Sequence, residues 1–154
     1  GCSFAVISDD RLRRSFRRAM AGIVPHVNLL GYTAALAAYR DGEAWRQALL
    51  GYLRGNRELV LQEISAISGL RTWPVEATYL VWIDARGLNA ADPAQLFEEA
   101  GVGLSNGAPF GAPGYVRLNF GCRRPLLVEA LGRMKAAVLK RQDPVAHVPP
   151  NCQD

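Results

Sequence analysis

From Glu43 to Ser68, apolar residues recur at three- and four-residue steps: first Trp45, Leu49, Tyr52 and Leu53, then Leu59, Val60, Ile64 and Ile67. That spacing predicts one helix of about 26 residues, roughly 39 Å long at 1.5 Å per residue. A helix of this length exceeds what most single domains use, so it is expected to brace two packed bodies. Gly51 and Gly55 fall inside it, and each is expected to weaken it and to mark a bend.

The texture changes after Gly69 to short strands and turns. Leu70–Trp73, Thr78–Asp84 and Val102–Leu104 read as strands, and Pro93 opens a short helix that reaches Ala100 with Asp92 as its cap. A loop rich in glycine and proline, Ser105–Gly114, leads into the strand Gly114–Gly121, and an amphipathic helix runs from Arg124 to Arg141. Before the long helix the chain reads as a short buried strand, Phe4–Ser8, then a helix capped by Asp9-Asp10 that runs to Ala21. An alanine-rich helix follows over Leu29–Arg40. One strand cannot cover two helices. The fold class expected is therefore α+β: a small domain over 70–141 with a short, mostly antiparallel sheet packed on helices, preceded by the bracing helix over 43–69. Residues 1–42 are expected to be a helical remnant of a larger domain, and residues 142–154 an extended or disordered tail.

A chain of 154 residues with 49% hydrophobic and 21% charged residues suits a globular protein rather than a disordered one. Its net charge of +4 is scattered except for Arg11, Arg13, Arg14, Arg17 and Arg18. Those arginines share one helix with no aromatic platform or recognition motif, so a solvated face is expected and nucleic acid is not. No apolar run is long enough for a membrane span, and no secretory leader pattern opens the chain. Cys2, Cys122 and Cys152 have neither CxxC spacing nor paired histidines. No metal site or disulfide framework is indicated, and reduced thiols in a cytoplasmic protein are the default. Cys122 follows the last strand, where a small buried filler is the ordinary role and a nucleophile the rarer one.

Within that strand, alternation puts Val116, Leu118 and Phe120 on one face and Tyr115, Arg117 and Asn119 on the other. Arg117 then points to water, pairs with an acidic residue of the chain, or holds an anion whose planar carboxylate or phosphate matches its fork.

Three sets of residues in order carry a resemblance. They are Ala37-Ala38-Tyr39 with Gly42 and Trp45; Thr78-Tyr79-Leu80 with Trp82 and Asp84; and Val116-Arg117-Leu118-Asn119 with Cys122 and Arg124. From Gly1 to Arg141 the chain resembles the C-terminal part of pyridoxal-phosphate enzymes with the aspartate aminotransferase fold, an α/β fold. Within that group it resembles the cystathionine β-lyase-like C–S lyases of the class I and II aminotransferases.

The resemblance implies that Arg117 receives the α-carboxylate of an amino-acid substrate, fixing its α-C–H bond for cleavage. A lyase then expels a thiolate from Cβ, giving pyruvate and ammonia; an aminotransferase is the alternative. Asn119 is expected to hold Arg117 or its loop, and Asn106 and Phe110 to lie near the substrate side chain or to serve as turn and anchor residues. Tyr79 and Trp82 are expected as core or domain-interface aromatics, and Asp84 as a turn residue. His26 and Asn28 lie in a loop that, by the resemblance, approaches the neighbouring subunit's site in a homodimer; Asn28 as a helix cap is the plain alternative. The family's Schiff-base lysine is not found: the chain holds Lys135 and Lys140 alone, both on the terminal helix. No catalytic residue is therefore expected here, and pyridoxal 5'-phosphate is expected in the full-length enzyme but not on this chain alone. A non-catalytic interaction domain on the same fold is the competing alternative.

Overall fold

In the computed structural model, which describes residues 1–142, the chain divides between Leu49 and Leu50 into two units. The first holds α1 (Asp10–Met20) and α2 (Leu29–Asp41), each started by a side chain that satisfies an amide of the opening turn. Asp9 accepts from the amide of Leu12 at 2.6 Å, and Asn28 accepts from that of Gly31 at 2.7 Å. Neither helix buries a single residue. Phe4 and Val6 are 72% and 89% exposed, and Phe4–Ser8, expected as a buried strand, joins no sheet. A strand needs a partner for its amides and carbonyls, and the described residues of this unit offer none.

The division falls within α3 (Glu43–Ser65), so this helix begins in one unit and continues into the other. It stops three residues short of the expected end. Ala66 and Ile67 bond back to Glu63 and Ile64 in a tightened turn, and Gly69 takes a left-handed φ of +87°. The helix runs unbroken through Gly51 and Gly55. A β-carbon on Gly55 would collide with the guanidinium of Arg124, so this glycine makes room for a side chain rather than a bend.

The second unit carries a four-stranded antiparallel sheet in the order β1-β2-β4-β3, formed by β1 (Arg71–Thr72), β2 (Leu80–Asp84), β3 (Ser105–Asn106) and β4 (Tyr115–Asn119). The third strand lies beyond the expected Val102–Leu104, because the amide of Val102 closes the end of α4 (Pro93–Glu99) by donating to Phe97 at 2.8 Å. Pro93 opens α4 and Asp92 caps it, as its sequence predicts.

The apolar face of the sheet meets α3, α4 and α5 (Arg124–Gln142) in one core. Val81, Ile83, Val116, Leu118 and Phe120 come from the sheet segments, and Val60, Ile64, Phe97, Leu127, Leu131 and Met134 from the helices. The architecture is α+β, as expected. The amphipathic stripe of α3 is used unevenly: Val60 and Ile64 are fully shielded, whereas Trp45 is 70% exposed. The tail expected over 142–154 lies, from residue 143 onward, outside the described residues, as does Cys152.

Candidate substrate-carboxylate site

Alternation along β4 does what the sequence predicts. Val116 and Leu118 enter the core, while Arg117 comes out on the opposite face, half-buried. It faces residues from two neighbouring strands. Trp82 of β2 and Ser105 of β3 stand opposite Arg117 in register. The guanidinium carbon lies 4.7 Å from the centre of the Phe110 ring and 5.9 Å from that of Trp82, and the two rings meet edge to face at 5.6 Å. Nη2 reaches Ser105 Oγ at 3.4 Å, a long and weak contact.

Nε of Arg117 is the one buried side-chain nitrogen or oxygen among the described residues that has no hydrogen-bond partner. A buried donor left unpaired costs about 1–3 kcal/mol. Asp10, Asp41, Glu43, Glu58, Asp84 and Glu129 pair elsewhere, with Arg13, Arg40, Arg46, Arg57, Arg86 and Arg133, and none of the described acidic residues forms a salt bridge with Arg117. Of the three outcomes the sequence leaves open, pairing with an acidic residue of the chain is not what the described residues do. Nε and Nη2 form the side edge of the guanidinium fork, the edge that takes a carboxylate through two parallel bonds.

The other predicted residues sort around this centre. Asn106 follows Ser105 on β3, and its amide nitrogen donates to both oxygens of Asp92 at 3.1 Å while its oxygen accepts from the amide of Ala108 at 2.8 Å. Asn119 shares the Arg117 face, but its oxygen accepts from the amide of Gly121 at 2.8 Å. It serves the turn after the strand. His26 and Asn28 are exposed in the first unit, where Asn28 caps α2. Lys135 and Lys140 are exposed on α5, and neither is among the side chains around Arg117. Cys122 is half-buried against the core, and Cys2 is exposed.

Three residues were not singled out from the sequence in the roles they take: Ser105 and Trp82 as walls of the arginine slot, and Asn56. The signal for Trp82 was present, since alternation along Leu80, Trp82 and Asp84 puts it on the face that its register partner Arg117 occupies. Asn56 is fully shielded on α3, donates to the carbonyls of Phe120 and Cys122 at 2.9 and 3.0 Å, and accepts from Nε of Arg124 at 3.0 Å. It ties the end of the Arg117 strand segment to the long helix. On the same sheet face, Asp84 accepts from Nε and Nη2 of Arg86 at 2.9 and 2.8 Å, which holds its carboxyl well down, at about 2. Arg86 in turn lies over the ring of Tyr115, 5.0 Å from its centre.

The model of the family "Aminotransferase class I and II" matches residues 4–134. The cystathionine beta-lyase of Corynebacterium glutamicum is 35% identical over 116 residues, covering 73% of this chain and 31% of that protein. The crystal structure of OvoB superposes with a TM-score of 0.83 at 49% identity, covering 86% of this chain and 35% of that one. The PLP-bound C–S lyase from Staphylococcus hominis superposes with a TM-score of 0.73 at 28% identity, covering 86% of this chain and 34% of that one. The chain thus spans about a third of the length of these relatives. No helix among the described residues is long and apolar enough to cross a membrane. With a family match from residue 4 through β4 and into α5, and with the fold of the solved relatives, this chain belongs to the class I and II aminotransferase family.

Proposed function

We propose that this chain is the substrate-carboxylate-binding portion of a pyridoxal-phosphate-dependent C–S β-lyase. Its substrate would be an amino acid bearing sulfur on Cβ, of cystathionine or cysteine-conjugate type, and the products pyruvate, ammonia and a thiol. The observation that carries this reading is the buried, unpartnered Nε–H of Arg117 in a slot that brings no carboxylate of its own. An amino-acid carboxylate docked on the side edge of the fork pairs Nε and Nη2 together and removes the cost of the orphaned donor. Relatives named as cystathionine β-lyase and C–S lyase support the lyase branch.

The residues around Arg117 fit the carboxylate of the substrate and do not fit the cofactor. Ser105, Phe110 and Trp82 provide no amine, and both lysines stand exposed on α5. On this reading the chain alone turns over no substrate, and the holoenzyme completes the site as a homodimer with His26 and Asn28 near the neighbouring subunit.

The test is Arg117→Ala in a holoenzyme that carries this chain. Binding of the amino acid should weaken by about 2–5 kcal/mol, read in KM and in kcat/KM. Arg117→Lys should recover part of it, because an ammonium supplies the charge without the fork. Unchanged kinetics in Arg117→Ala would sink the assignment.

A further inference from the structure

Phe110 is 55% exposed, yet it sits on a turn held from several sides. The short 3₁₀ turn Ala108–Phe110 closes through Phe110 N to Gly107 O at 2.9 Å, and the amide of Gly107 donates to Tyr115 O of β4 at 2.8 Å. Asn106 locks the entry to the turn by accepting from Ala108 N, and Asp92 holds Asn106 through both carboxylate oxygens. Asp92 is itself fixed by capping α4, where it accepts from Ala94 N at 2.8 Å. A half-exposed phenylalanine adds little to the core, so this bracing does not serve burial. What the braced ring meets is the guanidinium of Arg117, whose carbon lies 4.7 Å from the ring centre, and the Trp82 ring, edge to face with it.

We propose that Phe110 is a positioning residue for Arg117, and that Asn106 and Asp92 act through it by fixing its turn. The ring face attracts the guanidinium plane and limits its rotation about the side-chain torsions, so the Nε and Nη2 edge is presented to a carboxylate in one orientation. Ser105 contributes at 3.4 Å and is too weak a tether to set that plane by itself. Asn106, expected from the sequence near the substrate, thereby acts two steps away from it. This inference rests on the carboxylate-binding reading of Arg117.

The experiment compares Phe110→Leu, Phe110→Tyr and Arg117→Ala in a holoenzyme that carries this chain, with steady-state kinetics on an amino-acid substrate and thermal unfolding of each variant. Phe110→Leu keeps apolar bulk without a π face. It should raise KM about 3- to 30-fold, the span of a cation–π contact, with kcat within about twofold and an unshifted unfolding midpoint. Phe110→Tyr should restore KM. If Leu and Tyr are equally impaired, or if Phe110→Leu leaves KM unchanged while Arg117→Ala raises it, the positioning role is overturned and the carboxylate reading stands. If Arg117→Ala also leaves KM unchanged, the carboxylate reading fails and the positioning role goes with it.

Discussion

Asn56 and Arg124, 68 positions apart in sequence, share a 3.0 Å hydrogen bond from the guanidinium Nε to the side-chain oxygen of a residue with no solvent exposure. The bond joins the middle of the long helix to the first residue of the last one. Arg124 also lies over the ring of Tyr52, whose hydroxyl accepts from the Arg124 amide at 2.6 Å. The turn after β4 is thus anchored from one helix before α5 begins, and that turn sets where the Arg117 strand ends.

Replacing Asn56 with Leu keeps volume but leaves two carbonyls and one guanidinium N–H without partners. Destabilisation of this chain by about 2–5 kcal/mol is expected in urea unfolding. An unfolding free energy within about 0.5 kcal/mol of wild type would show that water replaces all three bonds.

Asp84 should make stability depend on acid. Its carboxyl titrates at about 2 in the fold, held down by Arg86, against an unfolded value of about 3.9. The unfolded chain therefore binds more protons in that window, so the contribution is complete above about pH 4 and is lost as pH falls toward 2. Asp84→Asn should lower stability at neutral pH and flatten the curve across the window. Glu43, whose carboxyl is held at about 2 by Arg46, is exposed, so added salt should mute its share more than that of the buried Asp84.

Gly107 tolerates no side chain. A β-carbon there would meet Tyr115 O at 2.7 Å and collide with Ala112 O, both backbone atoms that cannot swing aside. Gly107→Ala should destabilise the chain by about 1–3 kcal/mol and displace the Phe110 turn, seen as shifted Phe110 and Arg117 resonances in NMR spectra. Unchanged spectra would contradict the packing described.

The uneven stripe of α3 predicts a contrast. Ile64→Ala, in the core, should cost about 2–5 kcal/mol, whereas Trp45→Ser, on the exposed end of the same helix, should stay within about 0.5 kcal/mol in this chain. Equal effects would mean that Trp45 is buried in solution.

Most elements were legible because their signals are local. Asp9, Asn28 and Asp92 cap the helices they precede, and the alternation of β4 put Arg117 opposite Val116 and Leu118. The misses came from bonding and packing that residue type does not encode. Phe4–Ser8 has the composition of a strand but no ladder partner, and Val102 has a β-branched side chain but an amide committed to the end of α4. Gly55 read as the mark of a bend because the sequence does not reveal that Arg124 occupies the space beside it. Arg117 was readable, and so were the face of Trp82 and the neighbourhood of Phe110, but their meeting was not: Ser105, Trp82 and Phe110 arrive from three separate segments, which the pairing of β2 and β3 with β4 and the turn after β3 assemble.

That pairing makes the site a matter of parity. Trp82 and Ser105 meet Arg117 because all three sit on the same phase of the pleat. Deleting one residue between Gly111 and Gly114, with β4 sliding one position against β2 and β3 to close the gap, would present Leu118 where the arginine stands and turn the guanidinium toward the core. A slip of two would keep the parity and still set Asn119 in that place, so the meeting of Trp82, Ser105 and Arg117 fixes the exact register of β4 and not its phase alone.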